Sequence, residues 1–165
     1  MLTVEKGFAI GNSTEKGTAR RPEKTIAMPV YKPPLTVDDL SQSVKIAKAD
    51  TVMLVFYAKR VELALPEGQI LILGRADPMS SLQPTIDLNK FGGKASGTSR
   101  THAAIHRESG EWFIQDLASS NGTWVNGERL APFTAHQLQG TSQLMLANLE
   151  IGLVLPEKTS HKLIS

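Results

Sequence analysis

From Thr51 onward the chain is cut into short apolar segments, and dipeptides suited to tight turns separate most of them. That punctuation leaves room for little except antiparallel β-structure. Val61, Leu63 and Leu65 alternate with polar or small residues, as a half-buried strand requires. Gln69 to Leu73 is a continuous run suited to a buried strand, and it delivers Gly74-Arg75 at its end. Ala103–Arg107 and Trp112–Leu117 flank Ser109-Gly110, which reads as a hairpin turn. Thr123–Val125 and Glu128–Leu130 flank Asn126-Gly127, the strongest two-residue hairpin signal because both positions tolerate positive φ. Leu144 and Leu146 are followed by Leu149, Ile151, Leu153 and Leu155, with Ala147-Asn148 turning between them. Many short strands at close intervals predict an all-β sandwich or barrel. With 41% hydrophobic but only 5% aromatic residues, its core should be filled by aliphatic side chains.

The first fifty residues differ. Met1 to Pro34 mixes charged residues, Thr and Gly with Pro22, Pro29, Pro33 and Pro34, and has no sustained periodicity. Such a segment buries too little apolar surface to offset its ordering entropy, so Met1–Pro34 is predicted to be disordered, within a flexible tail spanning 1–50. Within it, Val37, Leu40, Val44 and Ala47 fit helical spacing and predict a short helix near 37–48. The folded domain is expected over 51–156, and 157–165 reads as a frayed end. A formal charge of +2 is too small to argue for bulk attraction to nucleic acid or membrane. Without cysteine the chain has neither disulfides nor thiolate metal ligands. No secretory signal is visible, since Glu5, Lys6 and Gly7 stand where an apolar core would be needed. The longest apolar run, Val52–Ala58, falls far short of the ~20 residues of a membrane-spanning helix. A cytoplasmic protein without a membrane partner is expected.

Function is written in four polar pieces at strand ends: Gly74-Arg75, then Ser99-Arg100-Thr101-His102, then Ser119-Ser120-Asn121-Gly122-Thr123, then Asn126-Gly127. Polar clusters at strand ends fall on loops, and loops held by a rigid sheet are where binding groups usually sit. An arginine, hydroxyls and an asparagine converging there would make a pocket for a doubly charged oxyanion.

In that order and strand context, G-R, S-R-T-H and D-L-x-S-S-N-G-T-W-V-N-G resemble the forkhead-associated (FHA) domain, over roughly Val52 to Leu155. The resemblance implies a β-sandwich of about eleven strands that binds phosphothreonine through loops at one end and has no catalytic activity. It implies that Arg75 meets the phosphate. A planar guanidinium suits that task because it donates two parallel charge-assisted hydrogen bonds. Ser99 matches the phosphate-contacting serine, Arg100 follows where a further phosphate-facing donor often stands, and Ser120 supplies another hydroxyl. Asn121 matches the asparagine that grips the peptide main chain, for which an amide offers both donor and acceptor. Gly74, His102, Gly122, Thr123, Asn126 and Gly127 match supporting positions, with His102 ordering the Ser99 loop from behind. The implied partner is a phosphothreonine-containing protein, such as a Ser/Thr kinase or its substrate. The rival reading is an FHA-like scaffold that binds proteins without phosphate. Similar layouts also suggest self-binding by a phosphorylated tail threonine, here Thr14, Thr18 or Thr25.

The family usually carries G-D-x-I-x-L-G late in its sequence, where this chain has Thr141-Ser142-Gln143-Leu144-Met145-Leu146-Ala147. The connection from Arg75 to Ser99 is long, and Asp87 within it resembles a short family strand. Gly97 and Thr98 offer no charge for reading the partner beyond its phosphothreonine. Other chemistries fare poorly. His102 and His106 on a strand would stand about 13 Å apart, too far to share a metal ion. Gly92-Gly93-Lys94-Ala95 lacks the spacing of a nucleotide-phosphate loop and is read with no helix after it. Ser99 with His102 lacks both an acid partner and a nucleophile elbow. No cofactor and no enzyme activity are expected, and a nucleic-acid role for the basic residues Arg20, Arg21 and Lys24 is disfavoured.

Overall fold

The computed structural model describes residues 49–157, all within one of the chain's two compact units, Pro33–Ser165. Most of the predicted tail, its helix near 37–48, the self-binding threonines and nearly all of the frayed end lie outside the described residues. Eleven strands follow in order: β1 Thr51–Phe56, β2 Lys59–Ala64, β3 Ile70–Gly74, β4 Ile86–Asp87, β5 Ala103–Glu108, β6 Glu111–Asp116, β7 Thr123–Val125, β8 Glu128–Arg129, β9 His136–Leu138, β10 Thr141–Leu146 and β11 Leu149–Val154. They form a six-stranded sheet, β2-β1-β11-β10-β7-β8, and a five-stranded sheet, β4-β3-β5-β6-β9. All pairings are antiparallel except β3 with β4. The all-β sandwich of eleven strands is therefore the fold.

Alternation along the strands assigns the inner faces. Val52, Leu54 and Phe56 of β1, Leu71 and Leu73 of β3, Ile105 of β5, Ile114 of β6, and Leu144, Leu146, Leu149, Ile151 and Leu153 of the β10–β11 hairpin pack into one mostly aliphatic cluster. In the strands that alternate, such as β6 and β10, a one-residue slip would turn the apolar set outward, so the core holds the register. The register in turn fixes which residues emerge at the strand ends.

The turns follow the dipeptide signals. Ser109-Gly110 and Asn126-Gly127 both adopt positive φ, matching the twist of their flanking strands. Ala147 does the same at φ 56° between β10 and β11, so a tight turn persists without the glycine usual in the family. One expectation needs correcting. The stretch from Leu88 to Ser96 contains a 3₁₀ turn, Leu88–Phe91, and one α-helical turn, Gly93–Ser96, where no helix was expected. Gly92 and Gly97, at φ 85° and 79°, bracket the helical turn and let the chain bend twice in six residues. Phe91 stacks on core Phe56 at 3.8 Å between ring centroids, which anchors this short helical segment to the sandwich. Each turn is too short to show a hydrophobic period, so the pattern held no signal for it.

Candidate functional site

Three connections meet at one end of the sandwich: the loop after β3, the loop before β5, and the β6–β7 connection that crosses from one sheet to the other. Their approach is set by Gly74. A Cβ there would lie 1.9 Å from the Arg100 carbonyl oxygen, so only glycine lets β3 press against the 99–102 loop. The next residue, Arg75, receives its position from that contact. Its backbone N–H donates to the Ser99 carbonyl at 3.1 Å, and its Nε–H donates to the Thr98 carbonyl at 2.5 Å. The guanidinium plane is thereby fixed, and its two Nη groups carry no hydrogen bond among the described residues.

Ser99 faces the β6–β7 loop. Its Oγ accepts the Ser120 backbone N–H at 3.0 Å and lies 3.5 Å from the Ser120 hydroxyl. The Asn121 amide donates to the Gly97 carbonyl at 2.9 Å. Arg75 and Asn121, 46 residues apart in sequence, thus hold consecutive carbonyls of the same Gly97–Thr98–Ser99 segment. Four of the five predicted contact residues, Arg75, Ser99, Ser120 and Asn121, are brought together. The fifth, Arg100, is largely exposed, and its Nη1 pairs with Asp77 Oδ2 at 3.1 Å on the neighbouring loop.

Behind this surface lie the supporting groups. His102 is fully buried, with Nδ1 accepting the Ser99 N–H at 2.9 Å and Nε2 facing the Gly122 carbonyl at 2.9 Å. Since Nδ1 accepts, the ring proton belongs on Nε2, which donates to Gly122. Burial pushes the imidazole below its ordinary pKa, partly offset by the Gly122 carbonyl and the charge of Asp116, so the ring is neutral as this pattern requires. Thr123 is buried, and its hydroxyl donates to Asp116 Oδ1 at 2.6 Å. Gly122 adopts φ 93° and its N–H reaches the Ser119 hydroxyl at 2.9 Å. Asn126 exchanges both backbone and side-chain hydrogen bonds with Gln143 of β10, tying the Asn126-Gly127 turn to the sheet.

The hub of the β6–β7 loop is a residue to which the sequence reading gave no role. Asp116, at the end of β6 and 1% exposed, accepts from the Ser119 hydroxyl at 2.6 Å, the Ser119 N–H at 3.1 Å and the Thr123 hydroxyl. Burial alone would raise its pKa, but these donors overcome it and hold the carboxyl below the usual range, ionised. Aspartate side chains readily bond loop groups a few residues further on, so the Asp116 that opens D-L-x-S-S-N-G-T could have been given this role. Asp77 was also missed. The Met79 N–H and Arg100 together hold its carboxyl low, and nothing in the local sequence joins residues 23 positions apart.

The FHA-domain family model matches residues 71–147, the span that carries every group above. Protein FraH of Nostoc sp. is 31% identical over 97 residues, covering 58% of this chain and 32% of FraH. An FHA domain-containing protein of Arabidopsis thaliana is 46% identical over 50 residues, covering 30% of this chain and 13% of that protein. The chain thus spans a third or less of these curated relatives. Among solved structures, the FHA domain of an Arabidopsis thaliana hypothetical protein superposes with a TM-score of 0.51 at 27% identity, covering 65% of this chain and 85% of that one. An FHA domain studied for phosphothreonine-dependent interactions superposes with a TM-score of 0.50 at 25% identity, covering 65% and 98%. Sequence match, eleven-stranded sandwich and the loops gathered around Arg75 agree: the chain carries a forkhead-associated domain over residues 71–147.

Proposed function

We propose that the protein is a non-catalytic module that binds a partner through a phosphothreonine, within Ser/Thr kinase signalling in the cytoplasm. The observation that carries this reading is the arrangement around Arg75. Its Nε is committed to Thr98 and its backbone N–H to Ser99, whose hydroxyl meets that of Ser120, while the Nη groups carry no hydrogen bond among the described residues. A phosphate near −2 at pH 7 needs a fixed guanidinium fork and neutral donors, and these are the groups gathered. Because the donors are already held by backbone hydrogen bonds, little ordering remains to oppose binding. Asn121, fixed through Gly97, keeps its carbonyl oxygen for a peptide main chain. The partner is a protein carrying phosphothreonine, either a kinase or a kinase substrate.

Calorimetry with matched phosphorylated and unphosphorylated threonine peptides tests the reading. Arg75→Ala should weaken phosphopeptide binding by about 100-fold or more, since a charge-assisted pair of hydrogen bonds is worth roughly 3 kcal/mol. Arg75→Lys should recover only part of this, because an ammonium cannot reproduce the planar fork. Equal binding of phosphorylated and unphosphorylated peptides would instead mark a scaffold domain indifferent to phosphate.

A further inference from the structure

The loop between Arg75 and β4 is built with more care than a plain connection needs. Asp77 Oδ1 accepts the Met79 N–H at 3.0 Å and the Asp77 carbonyl accepts the Ser80 N–H at 3.0 Å. The Gln83 amide donates to the carbonyls of Asp77 and Ser80, each at 2.7 Å. Ser80 Oγ bonds both the carbonyl and the N–H of Leu82. Thr85 Oγ1 accepts the Ile72 N–H at 3.0 Å, clamping the far end of the loop to β3.

This pinned loop holds two apolar side chains in water: Met79 is 93% exposed and Leu82 54%. Neither joins the core cluster. The loop is also continuous with the phosphate site. A single carboxylate, that of Asp77, accepts from the Met79 N–H on one oxygen and from the Arg100 guanidinium on the other. The Met79 backbone is thereby tied through one carboxylate to the side chain of Arg100, the residue after Ser99, and Met79 lies four residues beyond Arg75 in the chain. With the loop backbone fixed before binding, only the side-chain rotamers of the tip remain to be ordered when it meets an apolar partner. Met suits such a surface because its unbranched thioether adapts to different shapes.

The geometry points to a second subsite: the Met79–Leu82 tip reads one aliphatic side chain flanking the phosphothreonine of the bound segment. This deepens the phosphothreonine reading and rests on it. Phosphate contact supplies the anchoring interaction, and the tip supplies discrimination that the uncharged Gly97-Thr98 stretch does not.

The experiment compares wild type with Met79→Ser/Leu82→Ser on phosphothreonine peptides whose flanking positions are varied one at a time between Leu and Ser. Both replaced side chains are exposed, so the fold is retained and equal denaturant midpoints verify this. Wild type should prefer Leu about tenfold at one flanking position, the order expected for partly burying one aliphatic side chain. The double variant should lose that preference while binding the Ser peptide as wild type does. A wild type indifferent to Leu at every position overturns the subsite alone, as does a variant that keeps the preference or weakens on all peptides equally. A wild type that binds no phosphopeptide overturns the phosphothreonine reading and the subsite with it.

Discussion

Replacing His102 with Phe tests the mechanism by which the site is held. A phenyl ring is planar and somewhat larger than the imidazole, and it offers neither acceptor nor donor. Two groups lose a partner: the Ser99 N–H and the Gly122 carbonyl. They do not lose equally. The Gly122 oxygen also accepts the Ala147 N–H at 2.9 Å and stays satisfied, so the loss there is that of an ordinary hydrogen bond, about 1 kcal/mol. Among the described residues the Ser99 N–H has no second acceptor, and leaving it unpaired costs about 1–3 kcal/mol. The total is roughly 2–4 kcal/mol, which at an m-value near 2 kcal/mol/M lowers the urea midpoint by about 1–2 M. Simple overpacking could lower the midpoint too, so the deciding readout is local. Amide hydrogen exchange at Ser99 should accelerate more than exchange in the β10–β11 hairpin, and phosphopeptide affinity should fall because Ser99 Oγ no longer holds its place. A variant with unchanged Ser99 protection and unchanged affinity would refute the role given to His102. So would a wild-type spectrum placing the ring proton on Nδ1.

Two further outcomes are expected. Gly74→Ala forces a methyl against backbone at 1.9 Å, and since backbone cannot swing aside it should destabilise by about 3 kcal/mol or more and weaken binding, measured by denaturation and calorimetry. Stability should also fall with acid in two stages. His102 has a depressed folded pKa, so its contribution is complete above the unfolded value near 6.5 and is lost as pH drops through the folded value; Asp116, likewise depressed, acts below its ordinary 3.8. Thermal unfolding between pH 8 and 2 should show both stages in wild type and lack the upper one in His102→Phe.

Much of the architecture could be read along the chain because β-structure repeats every two residues and turns demand particular chemistry. Asn126-Gly127 and Ser109-Gly110 declared their hairpins, and the alternation through Leu144–Leu155 declared the last two strands with Ala147-Asn148 between them. The β1–β2 turn at Tyr57-Ala58 declared nothing. Tyr57 takes φ 52° because the pairing of Phe56 with Lys59 leaves it no alternative. The three-residue strand β9 was silent for a similar reason: His136–Leu138 is held by pairing with β6, not by its own pattern.

The same division runs through the site. The types and order of Arg75, Ser99, Ser120 and Asn121 are local text, and so is the glycine before the arginine. What those residues do depends on neighbours far along the chain: Asn121 against Gly97, Ser99 against Ser120, His102 between Ser99 and Gly122. Arg100 makes the point most sharply. Its place beside Ser99 suggested a phosphate donor; that its guanidinium also meets Asp77 could not be read from the chain, because only the packed loops bring the two within 3.1 Å. Chain order determined which functional groups the protein owns and which strand ends carry them, because period and turn chemistry act over a few residues. Tertiary packing decided which groups meet, how each is oriented and which are already engaged, because those energies arise only between segments that folding has brought into contact.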